Sequence, residues 1–168
     1  MAPPRYQPER ALPGYAYRPG RNPHPTRDPA GHAYGSAEPP CSPQPAERWT
    51  DNDEYLWGID LYNAGHFWEA HEAWEGLWRA AALDRAQRLY LQGLIQCAAA
   101  CLKAAIGDAD ASKRLAARGL ARLRKVPTDD AGVYMGLVLG PFIAAFERFA
   151  ADVSAPHPPL ALSMDKRP

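Results

Sequence analysis

One histidine and two glutamates, placed at helical spacing, are the residues best suited to chemistry. His71, Glu72 and Glu75 lie in the aromatic-rich segment 65–78. At 100° per residue, His71 and Glu75 share one side of a helix at the edge of its apolar face, and Glu72 can reach the same groups. An imidazole and two carboxylates can bind a divalent metal, or divide acid and base roles. The spacing therefore predicts catalytic roles for all three, with His71 and Glu75 as metal ligands.

The pattern is His-Glu-x-x-Glu and not the His-Glu-x-x-His of zinc proteases, because position 75 is Glu. Three groups on one helix would need further ligands from elsewhere. His24, His32 and His66 are the candidate imidazoles, and the sequence leaves open whether His24 and His32 reach His71 and Glu75. The competing interpretation is a structural ion pair that locks this helix against its neighbour.

Further polar and aromatic residues are candidates for ligand binding. Trp68 and Trp78 lie on the same predicted helix, and Gln92 and Gln96 lie four residues apart on the next one. The two glutamines either face solvent or face the His-Glu-Glu set, where amides could hold a polar ligand. Glu69 falls on the far side of the helical wheel and is expected to be solvated.

Five helices are expected to position these residues. They are predicted at about 53–64, 67–81, 85–106, 108–126 and 141–153, with residues 128–140 irregular and short links between most helices. Short links favour antiparallel neighbours, so the expected fold is all-α, a compact and mostly antiparallel bundle.

Proline separates this bundle from the rest of the chain. Of 18 prolines, 12 lie at or before Pro45, which favours an extended arm over residues 1–49. Tyrosines and histidines within residues 13–35 predict that this part of the arm packs on the domain. The domain is expected over residues 50–153 and a flexible tail over residues 154–168.

Composition limits the classes of partner. The formal net charge is zero, no apolar stretch is long enough to span a bilayer, and the first residues contain no apolar signal segment. A cytoplasmic protein without a membrane partner is expected. Three cysteines without a secretion signal argue against a disulfide framework. The basic stripe Arg114, Arg118, Arg122 and Lys125 favours a solvated face over phosphate contacts, and no nucleic-acid partner is expected.

Residues 55–126 resemble a bacterial and archaeal family, the domain of unknown function 309. The resemblance rests on residues 63–78 and 92–96, and residues 17–32 look like the extension that some members carry. It implies an all-α bundle in which Gln92 and Gln96 join His71, Glu72 and Glu75 in one polar cluster. Some members are labelled as candidate metal-dependent hydrolases. The chain departs from the family pattern at residues 134–141, where the usual Asp before the last helix is missing.

Two functional hypotheses follow. The first is a protein that binds a divalent metal or a small polar ligand, with hydrolysis as the candidate reaction. The alternative is a non-enzymatic helical interaction module in which the polar cluster is structural. A homo-oligomer is compatible with either.

Overall fold

A computed structural model describes residues 3–38, 40–80 and 83–164, and within them the chain is a helical bundle. Five α-helices and one small hairpin follow a short 3-10 helix at Ala46–Asp51. The helices are α1 Asp53–Asn63, α2 Phe67–Arg79, α3 Arg85–Ala105, α4 Ala109–Leu123 and α5 Leu139–Ala151. The strands are β1 Val133–Tyr134 and β2 Leu137–Val138. The all-α prediction is confirmed.

Polar caps fix the starts of three helices. The side chains of Asn52, Asp84 and Asp108 accept hydrogen bonds from the backbone N–H groups of Tyr55, Gln87 and Ala111, respectively. Such caps satisfy N–H groups that have no partner within the helix. The predicted starts are therefore close to those observed. α4 ends at Leu123, a few residues before the predicted end, and the predicted end of α2 at residue 81 lies outside the described residues.

The core is built by consecutive helices packed against one another. Trp74, Tyr55 and Tyr62 are fully buried, and the Trp74 indole N–H donates to the Tyr55 carbonyl at 3.2 Å. Gly58 of α1 allows this contact, because a Cβ there would lie 2.1 Å from Trp74 Nε1. None of the helices among the described residues is long and apolar enough to cross a membrane.

The segment expected to be irregular, residues 128–140, contains the hairpin. Val133 pairs with Val138 and Tyr134 with Leu137. Met135 and Gly136 both adopt positive φ, 45° and 80°, as a tight two-residue hairpin turn requires. A side chain at Gly136 would meet the ring of Trp49 at 2.6 Å, so the turn also needs glycine for space. Strands of two residues are too short to produce a recognisable periodicity.

The segment after α5 packs on the bundle, in contrast to the flexible tail expected there. Leu160 and Leu162 are buried. The Asn63 amide donates to the Leu160 carbonyl at 2.9 Å and accepts from the Leu160 N–H at 2.8 Å. The leucines supply the apolar anchors, while the prolines around them only prevent helix formation. Residues 165–168 of the expected tail lie outside the described residues.

The N-terminal arm contacts the bundle earlier in the chain than expected. The backbone N–H groups of Tyr6 and Gln7 each donate to the Asp60 carboxylate at 2.8 Å. The Asp60 side chain is fully buried and also pairs with Arg5 at 3.4 Å. Buried carboxylates are stable only with such partners, so Asp60 accounts for the docking of residues 5–7 on α1.

Candidate functional site

His71, Glu72 and Glu75 lie together on the surface of α2. His71 Nδ1 is 3.2 Å from Glu72 Oε1 and 3.6 Å from Glu75 Oε2. Each of the three residues offers one possible metal-binding atom, and these three atoms all lie within 4.8 Å of one another. His71 and Glu75 are partly buried and Glu72 is exposed. The predicted proximity of these three side chains is thus present, at the edge of the apolar face.

Arg79 holds one oxygen of Glu75. Its Nη2 donates to Glu75 Oε1 at 2.9 Å, one helical turn along α2. The other oxygen, Oε2, is the one directed towards His71. The ion pair therefore orients the carboxylate while leaving one oxygen for a further partner.

The environment of Glu72 favours its ionised form. The hydrogen bond with His71 lowers the pKa of the Glu72 carboxyl below its ordinary value, partial burial opposes this shift, and the charges of His71, Arg79 and His24 add to it. Glu72 therefore presents a carboxylate near neutral pH.

Gln92 and Gln96 contact α4 rather than the His-Glu-Glu cluster. Arg122 Nε donates to Gln92 Oε1 at 2.8 Å and Arg122 Nη1 donates to Gln96 Oε1 at 2.9 Å. The part of the chain that the structure describes contains no hydrogen bond from either glutamine to His71, Glu72 or Glu75. The inference that these amides join the cluster is wrong in this structure, because the fork of Arg122 occupies both oxygens.

The two candidate tryptophans differ in position. Trp68 packs edge-on against Tyr17 and His24 of the arm, with ring centroids 5.3 and 5.4 Å apart. Trp78 is partly buried on the core, and its indole nitrogen has no hydrogen-bond partner among the described residues. Trp68, and not Trp78, is therefore the aromatic candidate that lies where the arm meets α2.

Glu69 is the residue of α2 that the helical wheel assigned wrongly. It is buried, only 6% exposed, instead of solvated. Its Oε1 accepts from the Tyr17 backbone N–H and from His32 Nε2, both at 2.9 Å. The arm covers the face of α2 that an isolated helix would expose to water. The tyrosines and histidines of the arm were the sequence signal that the arm covers polar residues of the bundle.

A second histidine lies on the other side of Glu69. His66 Nδ1 is 4.0 Å from Glu69 Oε2, and neither atom has a hydrogen-bond partner within the described residues. Burial lowers the pKa of His66, although the charge of Glu69 opposes the shift. Among the described residues, His32 is thus bound to Glu69 rather than to His71 or Glu75.

His24 packs against the rings of Tyr17 and Trp68, and its Nδ1 accepts from the Thr26 N–H at 3.3 Å. The charge of His24 contributes to the lowered pKa of the Glu72 carboxyl.

A cavity of about 440 Å³ opens between the arm and helices α1 and α2. Trp57, Trp68, Glu69 and Glu72 are among the residues that line it. Glu72 therefore belongs both to the cavity wall and to the cluster with His71 and Glu75. Trp57 was not among the predicted site residues, since its helical position indicated only a core role.

The helices that carry these residues match a known family model. Residues 55–115 match the model described as Domain of unknown function (DUF309). This segment is similar to members of the DUF309 family. The match covers about a third of the chain and ends short of residue 126, to which the resemblance was expected to extend. A comparison with curated proteins gave no match.

The DUF309 segment contains the polar cluster and only part of the cavity. His71, Glu72 and Glu75 lie inside the matched range, as does Glu69, whereas His32 and the rest of the arm precede it. The family description states no activity. The family match therefore assigns no function to these side chains.

Proposed function

We propose that this protein binds a divalent cation through His71, Glu72 and Glu75 and that the bound cation activates water for hydrolysis. The observation that carries the proposal is the convergence of one imidazole nitrogen and two carboxylate oxygens within 4.8 Å. Mixed nitrogen and oxygen donors suit Zn²⁺, Mn²⁺ and Fe²⁺.

The separations support a shared metal. Two donor atoms that are each about 2.1 Å from one ion lie roughly 3.0–3.4 Å apart at angles between 90° and tetrahedral. The observed separations from His71 Nδ1 are 3.2 Å to Glu72 and 3.6 Å to Glu75. The three donors lie within 4.8 Å of one another, so the exposed Glu72 side chain and the partly buried His71 and Glu75 side chains would have to rotate to bring all three to bonding distance.

Neighbouring groups would assist a cation in this position. The Arg79 ion pair fixes Glu75 with one oxygen towards His71, and groups of this kind orient metal ligands. Two carboxylates and one arginine leave the cluster with a negative charge that a divalent cation would neutralise.

The number of protein ligands supports hydrolysis as the candidate reaction. Three protein ligands leave coordination positions for water, and a bound divalent cation lowers the pKa of that water enough to make it a nucleophile. Glu72 also lines the cavity, so a substrate held there would lie beside the cluster.

Calorimetric titration of the full chain, after removal of metals with a chelator, tests the proposal. We expect near-stoichiometric binding of Zn²⁺ or Mn²⁺, and at least tenfold weaker binding in His71→Ala and in Glu75→Gln. Glu147→Gln is the matched control, because Glu147 is an exposed glutamate paired with Arg124 on other helical elements. Equal metal affinity in all four proteins would refute the site.

Hydrolysis is tested separately with chromogenic phosphate and carboxylic esters. Activity should require the added metal, disappear in His71→Ala and persist in Glu147→Gln. Metal binding without any metal-dependent hydrolysis would retain the cation site and reject the reaction.

A structural role for the cluster is the competing function, and internal pairing favours it. Glu75 is paired with Arg79, and His71 Nδ1 lies 3.2 Å from Glu72 and 3.6 Å from Glu75. In an interaction module of this kind, His71→Ala and Glu75→Gln would mainly lower the melting temperature. Variants that keep or raise the melting temperature while losing metal would favour the metal site.

A further inference from the structure

The cavity beneath the arm has the size of a small-molecule site. Its volume of about 440 Å³ lies within the range of roughly 300–1,000 Å³ found for ligand pockets. It lies between segments far apart in the chain, with Pro13 and His32 from the arm facing Trp57 of α1 and Trp68 of α2. The folded arm and the bundle together create this space.

Part of the cavity wall is apolar and aromatic. Trp57, Leu61, Trp68 and Ala73 contribute to it. The Trp57 ring already holds a cation, because the Arg10 guanidinium carbon lies 4.4 Å from its centroid. Indole faces attract cations through the negative charge density above the ring. This surface can accept a hydrophobic body, and the Trp68 indole can attract a positive charge in the same way.

The charged residues of the wall carry an excess of negative charge. Four carboxylates line the cavity, against two guanidinium groups; the carboxylates are Glu38, Glu54, Glu69 and Glu72, and the guanidinium groups are Arg10 and Arg79. Both arginines are already paired, Arg10 with Glu54 at 2.8 Å and Arg79 with Glu75 at 2.9 Å. The excess is two charges with His32 neutral, and one if His32 is protonated.

Glu69 is the most buried of the four carboxylates in the wall. Its Oε1 accepts from the Tyr17 N–H and from His32, and its Oε2 lies 4.0 Å from His66 Nδ1. Its side chain is 5% exposed, and its Oε2 has no hydrogen-bond partner among the described residues. A buried carboxylate in this state is costly, and a nearby positive charge reduces the cost. An ammonium group inside the cavity would supply that charge.

We propose that this cavity binds a small organic cation, an amine whose ammonium group lies near Glu69 and Glu72 and whose apolar body packs on Trp57 and Trp68. Neutral molecules of the same shape would lose the electrostatic part of the interaction, and anions would be repelled. The proposal differs from the metal site, with which it shares Glu72, because it also depends on the cavity and on Glu69.

Three probes of matched shape separate charge from size: 2-phenylethylammonium, 2-phenylethanol and 3-phenylpropionate. Each is titrated into the full chain, and the indole N–H resonances of Trp57 and Trp68 are followed by NMR. We expect the ammonium compound to bind at least about tenfold more tightly than the alcohol and the carboxylate to bind least. Equal affinity for ammonium and alcohol, or no saturable shift with the ammonium compound, overturns the proposal.

A glycine in the wall offers a way to fill the cavity without disturbing the fold. Gly76 of α2 lines the cavity, and a Cβ placed there meets no atom within 4 Å. Gly140 of α5 is equally open and lies outside the cavity wall. Gly76→Leu should weaken binding of 2-phenylethylammonium at least tenfold with no fall in melting temperature, and Gly140→Leu should bind it as the unmodified chain does. Unchanged binding in Gly76→Leu would overturn the assignment to this cavity.

Two neighbouring glutamates separate this inference from the metal proposal. Glu72 lines the cavity, whereas Glu75 does not. Glu72→Gln should weaken the ammonium probe severalfold, whatever either variant does to metal binding. Glu75→Gln, which acts on the cavity only by releasing Arg79 from its ion pair, should weaken the probe less. Weaker probe binding in Glu75→Gln than in Glu72→Gln would contradict the proposed position of the ligand.

Discussion

Glu69 is the residue on which docking of the arm to α2 depends most. It accepts hydrogen bonds from Tyr17 and His32, which lie 52 and 37 residues earlier in the chain. Loss of the carboxylate would leave a partly buried N–H and a partly buried imidazole without their partner. Each group of this kind costs about 1–3 kcal/mol when it is left unsatisfied.

We therefore expect Glu69→Ala to lower the free energy of unfolding by about 1–3 kcal/mol and to make residues 10–36 more sensitive to limited proteolysis. Glu147→Ala is the control, since its ion pair with Arg124 is about half exposed and should contribute less than about 1 kcal/mol. Urea unfolding and timed digestion measure both effects. Similar losses in the two variants would show that Glu69 does not anchor the arm.

The helical wheel placed Glu75 correctly and placed Glu69 wrongly. His71 and Glu75 lie on the same helix, so a helical wheel was sufficient to predict that their side chains are close. Glu69 is buried because Tyr17 and His32 of the arm lie over it. The periodicity of residues within α2 carries no information about a distant segment that covers the helix. The same limit explains Gln92 and Gln96, whose partner Arg122 lies on the next helix.

At the scale of elements, two glycines in neighbouring helices should respond in opposite ways to the same substitution. A Cβ at Gly58 of α1 would lie 2.1 Å from the buried Trp74 ring, whereas a Cβ at Gly76 of α2 meets nothing within 4 Å. Gly58→Ala should cost about 1–3 kcal/mol through overpacking. Gly76→Ala should stabilise the helix by about 0.5–1 kcal/mol. Thermal and urea unfolding measure both changes, and a stable Gly58→Ala variant would contradict the packing of α1 on α2.

The segment after α5 should make stability depend on pH. His157 packs edge-on against Tyr62 and Phe67, with centroids 5.1 and 4.9 Å away. Partial burial lowers the pKa of His157 below its ordinary 6.5. The unfolded chain therefore binds the proton more strongly, and this histidine reduces stability as the pH falls below 6.5 towards the folded-state pKa.

The variant His157→Phe keeps an aromatic ring and removes the titration. Its free energy of unfolding should decrease less than that of the unmodified chain between about pH 7 and about pH 5.5. His66, whose pKa burial also lowers, is present in both proteins and contributes equally. Identical pH dependence in the two proteins would show that His157 is not held in this buried contact.

At the scale of the whole molecule, the two terminal segments join across the bundle. The Leu162 N–H donates to the Tyr6 hydroxyl at 2.7 Å, across 156 positions of sequence. Helical periodicity is a local signal, so it predicted five helices and most of their ends. Helical periodicity could not predict which surface the arm or the last segment would cover. Asp60 and Asn63, which bind these segments, cannot be distinguished from other helix residues in the sequence.

The same long-range packing creates the cavity and leaves the His-Glu-Glu cluster at its edge. Glu72 belongs to both, and the cation site is therefore the feature on which the proposed chemistry depends. Its three donors come from one helix, which is the part of the chain that the family match covers.

Anomalous diffraction from crystals grown with Zn²⁺ or Mn²⁺ tests that site most directly. The proposal predicts a single strong anomalous peak about 2.0–2.2 Å from His71 Nδ1 and from one oxygen each of Glu72 and Glu75. The peak should be absent in crystals of His71→Ala grown under the same conditions. No peak at this position, or a peak that persists in His71→Ala, would contradict the metal site.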